Sequence, residues 1–108
     1  MVATSRLKKT VKNKSACQLT FEIFGDRWTL RIINALGEKS LRFNELQEAL
    51  DINSATLTVK LKKLKRLRLL TRERALDDKL SVTYTLTSTG RELLPLYDAI
   101  LAFGKKFF

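Results

Sequence analysis

Eight of the chain's lysines and arginines stand between Ser54 and Arg74 (SATLTVKLKKLKRLRLLTRER), with Glu73 the only acid among them. Cations at this density do one kind of chemistry well: they displace the counterions of a phosphate backbone. Residues 1–15 add five more bases and no acid, whereas residues 16–53 hold four bases against six acids and residues 75–108 hold four of each. The formal net charge of +10 is therefore concentrated in two blocks. Charge spread for solubility alone would not cluster in this way, and clustering of one sign points to nucleic acid.

Other chemistries are poorly supplied. The chain has no histidine and one cysteine, so neither an internal disulfide nor the usual zinc and iron ligand sets can be assembled, and no metal or cofactor is expected. General acid–base work at neutral pH most often uses histidine, and no glycine-rich phosphate loop or nucleophile elbow is present, which weighs against an enzyme. The basic start is not followed by a targeting segment, and the apolar stretch Leu93 to Phe103, interrupted by Pro95 and Asp98, is too short for a membrane span. A soluble, cytoplasmic protein is expected. With 108 residues, the chain has material for one core.

The elements that must position the basic block can be read from apolar spacing. Ala16, Leu19, Ile23 and Phe24 recur at helical intervals and stop at Gly25, a residue suited to a left-handed cap. Asp26 can cap a second helix with Trp28, Ile32, Ala35 and Leu36 on one face, ending at Gly37. Leu41-Arg42 reads as a short extended link. Phe43, Leu46 and Leu50 make a third helix, and Asp51-Ile52-Asn53 a turn, after which Asn53 or Ser54 caps a fourth. In that helix Leu57, Leu61 and Leu64 share the buried face. The opposite face presents Ala55, Val59, Lys62 and Arg66, flanked by Thr58, Lys63 and Lys65. It is small and hydroxylated at its start and cationic further on, a gradient that suits base edges first and phosphates after.

Thr71 to Ala75 and Leu80 to Leu86 alternate as strands and are joined by Leu76-Asp77-Asp78-Lys79 into a hairpin. A last helix is expected over residues 88–107, capped by Thr87 and kinked at Pro95. Its apolar residues cover about half the circumference, more than the ~100° stripe that packing on one domain needs. The surplus suggests a second buried contact, with another copy of the chain. The expected fold is mainly α with a small β-hairpin: a winged helix-turn-helix with N- and C-terminal dimerisation helices. It occupies residues 16–108 as a single domain behind a basic arm, residues 1–15, whose charge and polarity favour mobility.

From Cys17 onward the chain resembles the HxlR-type winged-helix transcriptional regulators of bacteria and archaea, relatives of the MarR group. The resemblance rests on Cys17, Gly25-Asp-Arg-Trp28-Thr, Arg42-Phe43-Asn-Glu45-Leu46, Ile52, Leu57-Thr58, Leu61, Leu64, Leu69, Arg72, Val82-Thr-Tyr84-Thr-Leu86-Thr87-Ser-Thr-Gly90 and Leu94-Pro95. It implies a homodimer joined by the terminal helices, with Leu19, Leu94, Tyr97, Leu101, Phe107 and Phe108 at the contact, bound to a two-fold symmetric operator on double-stranded DNA in the prokaryotic nucleoid. The recognition helix is then residues 54–67. The residues expected at DNA are Arg42 on the backbone, Asn53, Ser54, Ala55, Thr56, Thr58, Val59, Lys60, Lys62, Lys63 and Arg66 in or beside the groove, and Arg72, Arg74 and Lys79 on the wing at residues 71–86.

Two departures from the family are visible. Lys79-Leu80-Ser81, preceded by Asp77-Asp78, stands where the wing usually carries Pro-Pro-Arg, leaving Lys79 as its tip cation. Arg68 stands where glycine usually follows the recognition helix, and would lengthen that helix or force a less comfortable cap. Several family members use a cysteine near the start of the first helix as an electrophile or oxidant sensor, and Cys17 matches that position. A lone cysteine can act by adduct formation or by a disulfide between protomers, although on an apolar helix face it is more often a small core residue. Two other functions fit the residues: sequence-indifferent binding of nucleic acid, since the start of the fourth helix has only Asn53 for bidentate base contacts, and a winged helix that binds an acidic protein.

Overall fold

The computed structural model describes residues 15–74 and 81–108. The basic arm ahead of Ser15, the ends of both wing strands at Ala75 and Leu80, and the turn bearing Asp77, Asp78 and Lys79 lie outside the described residues. The elements in chain order are α1 (Ala16–Phe24), α2 (Thr29–Leu36), β1 (Ser40–Arg42), α3 (Phe43–Leu50), α4 (Ser54–Arg66), β2 (Leu70–Arg74), β3 (Val82–Leu86), α5 (Ser88–Arg91) and α6 (Leu94–Phe107). The mainly helical fold with a small antiparallel sheet is as expected from the sequence.

Local chemistry starts each helix. Ser15 accepts from Gln18 N at 3.1 Å at the head of α1, Asp26 accepts from Thr29 N at 3.0 Å ahead of α2, and Thr87 accepts from Gly90 N at 3.1 Å at α5. The Glu45 carboxylate reaches back to Arg42 N at 2.8 Å to open α3. The core is made where the leucine and isoleucine stripes meet: Ile32, Ile33 and Leu36 of α2, Leu46 and Leu50 of α3, Ile52 in the turn, Leu57, Leu61 and Leu64 of α4, and Leu69, Leu70 and Leu86 from the sheet side. Fully burying one such side chain contributes about 1.5–3 kcal/mol, which fixes α4 against α2 and α3.

Three expectations need correction. Leu41-Arg42 is not a link. Ser40–Arg42 pairs with β3, making a three-stranded sheet of order β1-β3-β2 with Ser40 opposite Thr85 and Arg42 opposite Thr83. The last helix is two: α5 ends at Arg91, and α6 begins at Leu94 with Pro95 in its first turn. Proline lacks the N–H that has no acceptor at a helix start anyway, so it begins α6 rather than kinking a longer helix. Gly25 is not left-handed (φ −81°, ψ 5°). Glycine is needed there because a Cβ would stand 2.3 Å from the Phe21 carbonyl oxygen. Of the two outcomes expected at Arg68 the second is found: the fourth helix stops at Arg66, and Arg68, just past the Leu67 cap, is left-handed with φ +62°.

Candidate nucleic-acid interface

Helix α4 is sorted into three stripes by what each side chain meets. Leu57, Leu61 and Leu64 are buried in the core. Thr56, Lys60, Lys63 and Leu67 are half-buried, and the two lysines reach the α1–α2 corner. There Lys60 Nζ pairs with the Asp26 carboxylate, and Lys63 Nζ donates to the Glu22 carbonyl oxygen at 3.1 Å. The remaining stripe, Ala55, Val59, Lys62 and Arg66, is exposed. The sequence-predicted face is thus present, but Lys60 and Lys63 are drawn off it into the chain's own framework. Lys65, which helical spacing put at the flank of that face, is exposed beside Arg66.

The Asp26–Lys60 pair shapes the electrostatics of this corner. Burial would raise the Asp26 carboxyl, but hydrogen bonds from Lys60 and Thr29 and the lysine's charge outweigh that effect and hold it below its ordinary value. Next to it, the Arg27 and Arg31 guanidinium carbons lie 4.7 and 4.9 Å from the Trp28 ring centroid, so two more cations are gathered at the head of α2.

At the start of α4 the polar side chains serve the backbone. Asn53 Oδ1 accepts from Ala55 N at 2.8 Å and Thr56 N at 3.3 Å, and Thr58 Oγ1 donates to the Ser54 carbonyl oxygen at 2.8 Å. Both Asn53 and Ser54 are exposed.

The wing arginines and Arg42 do not share a sheet face. Arg72 is paired with Tyr84 and Arg74 with Val82, while Arg42 lies opposite Thr83, which in turn faces Glu73. Because alternate residues point to opposite faces, Arg42, Thr83 and Glu73 form one row and Arg72 and Arg74 belong to the other face, beyond the core residues Leu70 and Leu86. All three arginines are exposed. Lys79 lies outside the described residues.

Residues expected at a dimer contact divide in the same way. Leu19 is 6% exposed and turned into the chain's own interior, so it has almost no surface to offer. Leu94 packs on the core and Tyr97 is half-buried. Leu101, Phe107 and Phe108 are exposed, as are Leu96, Ile100 and Phe103 on the same helix and Phe21 on α1. Cys17 is exposed in the first turn of α1 and is not a core residue. Among the described residues, no group of His, Cys, Asp and Glu could hold a metal ion, and no helix is long and apolar enough to cross a membrane.

Known proteins share this arrangement. The chain is 35% identical over 89 residues to YdzF of Bacillus subtilis (strain 168), described as an uncharacterized HTH-type transcriptional regulator, covering 81% of this chain and 82% of that one. It is 30% identical over 88 residues to the HTH-type transcriptional regulator YodB of the same organism, covering 81% and 79%. The reduced form of YodB superposes with a TM-score of 0.72 at 28% identity, covering 83% of this chain and 89% of that one. YodB has also been solved quinone-bound and diamide-treated. A protein from Porphyromonas gingivalis W83 described as a MarR-family regulator gives a TM-score of 0.79 at 28% identity, covering 91% and 97%. These relatives are regulators of transcription rather than enzymes. The HxlR-like helix-turn-helix family matches residues 23–108, and the chain belongs to that family of DNA-binding transcriptional regulators.

Proposed function

We propose that this chain is a homodimeric regulator that reads a two-fold symmetric duplex with the Ser54–Arg66 helix of each copy, and that Cys17 tunes the binding. The exposed stripe of α4 carries the reading: Ala55, Val59, Lys62 and Arg66 form a convex strip with no acid anywhere in the helix, on an element braced by three buried leucines. Lys62, Lys65 and Arg66 suit phosphates on either side of a major groove, and Arg42, Arg72 and Arg74 suit the backbone beyond it. Lys62→Met lowers affinity and reduces the slope of log K against log salt by about 0.9, the share of one phosphate contact. An unchanged slope would mean that this face of α4 does not meet DNA.

Dimerisation is supported by the apolar face of α6, where Phe103 and Phe107 stack at 4.8 Å between ring centroids and Phe108 closes on Phe103 at 6.0 Å. Thiol response is supported by the exposure of Cys17 and by the reduced, quinone-bound and diamide-treated forms of YodB. Diamide or a quinone lowers DNA retention of the wild type and leaves Cys17→Ser unaffected; equal loss in both would assign the response elsewhere. One observation favours a second reading, sequence-indifferent binding: the Asn53 side-chain oxygen is engaged by the helix start, so the one amide available for bidentate base contacts is partly consumed. Comparing a selected duplex with its scramble at fixed salt separates the two.

A further inference from the structure

Among the described residues, the exposed large hydrophobic side chains lie on α6, at Phe21 of α1 and at Val59 of α4. Val59 is 62% exposed and stands apart from the α6 cluster. Its helical neighbours at spacings of three and four are Ala55, Thr56, Lys62 and Lys63, so it is a small apolar spot with exposed Ala55 before it and exposed Lys62 after it. A surface of this size is too small to hold a protein partner, and the lysines and arginine around it favour a polyanion. Two polar groups next to it are engaged by the helix backbone, Asn53 Oδ1 on Ala55 N and Thr56 N and Thr58 Oγ1 on the Ser54 carbonyl. On the exposed stripe of these first two turns, Ala55 and Val59 offer a major groove aliphatic carbon. In that groove the one aliphatic group on a base edge is the C5-methyl of thymine.

We infer that Val59 is a specificity-determining residue that reads a thymine through its C5-methyl group, so that methyl contact rather than a hydrogen-bond pair sets the base preference of these turns. The inference rests on the DNA-binding reading above and adds the chemical group recognised. The cations on the same face fix the register along the phosphates, and Val59 distinguishes thymine from the other bases by burying one methyl group.

The test uses the full chain and the best-retained duplex from a random library at roughly physiological salt. That duplex is remade with each thymine singly replaced by deoxyuridine, which removes the methyl and leaves the pairing edge unchanged. At one thymine, and at its symmetry mate, the wild type loses about four-fold in affinity, the worth of one buried methyl group. Val59→Ala binds the thymine duplex more weakly and is indifferent to that replacement, while Val59→Thr, which keeps one γ-methyl, retains part of the discrimination. If no thymine costs the wild type more than it costs Val59→Ala, the inference is overturned while DNA binding stands. Loss of retention on every duplex would overturn both.

Discussion

At the scale of single residues, the informative contrast is between lysines that look alike in the sequence. Lys60 and Lys63 are spent on Asp26 and on the Glu22 carbonyl, whereas Lys62 projects from the exposed stripe. Lys60→Met should therefore weaken DNA binding by loosening α4 on the α1–α2 corner, with little change in salt slope, in contrast to Lys62→Met. Equal slope changes would place Lys60 at a phosphate. The Asp26 partner gives this corner a pH signature. A carboxyl held low in the folded state stabilises the fold above its unfolded value of about 3.8, and the contribution is lost as pH falls through the folded value. Asp26→Asn keeps an oxygen for Thr29 N but loses the ion pair, so it is less stable than wild type at neutral pH and converges on it below about pH 4. Denaturant midpoints measured across that range check the convergence. At Arg68, φ +62° is a conformation that glycine takes without a Cβ clash. Arg68→Gly should raise stability by about 0.5–1 kcal/mol, the relief being offset in part by the greater freedom of glycine in the unfolded chain. Thermal unfolding a few degrees higher is the expected readout.

At the scale of elements, Gly90 is the tightest joint. A Cβ there would lie 2.0 Å from the Leu69 carbonyl oxygen and 3.2 Å from Leu86 Cδ2, because α5 crosses directly over the start of β2. Gly90→Ala must push α5 off the sheet and should cost about 1–3 kcal/mol by overpacking, measurable as a lower denaturant midpoint with an unchanged m-value. Much of the element plan was legible beforehand, because Leu57, Leu61 and Leu64 at helical spacing behind an Asn53 cap specify α4 by local chemistry alone. What was not legible depends on partners distant in the chain. Ser40–Arg42 is too short to carry a strand pattern and becomes a strand by pairing with residues 83–85. The exposed stripe of α4 could be read from the wheel, but the engagement of Lys63 could not, since its acceptor lies 41 positions away. The break between α5 and α6 turned on whether Pro95 would kink a helix or begin one, and the stop at Arg91 decided it.

At the scale of the whole molecule, DNA reading as proposed needs two copies acting together. The apolar face of α6 and Phe21 of α1 would leave large aromatic side chains in water in a lone chain. Ile100→Asp puts a charge at the centre of that face without touching the core, and it should convert a dimer to a monomer by sedimentation equilibrium. Operator affinity then falls by about 100-fold or more as the second recognition helix ceases to bind at high effective concentration. The central claim, that a dimer of this chain reads DNA sequence through α4, is tested most directly by selecting wild-type binders from a random duplex library at roughly physiological salt and sequencing the pool. The expected result is a two-fold symmetric motif with half-sites about one helical turn apart. Retention with no motif, or no retention at all, would contradict it.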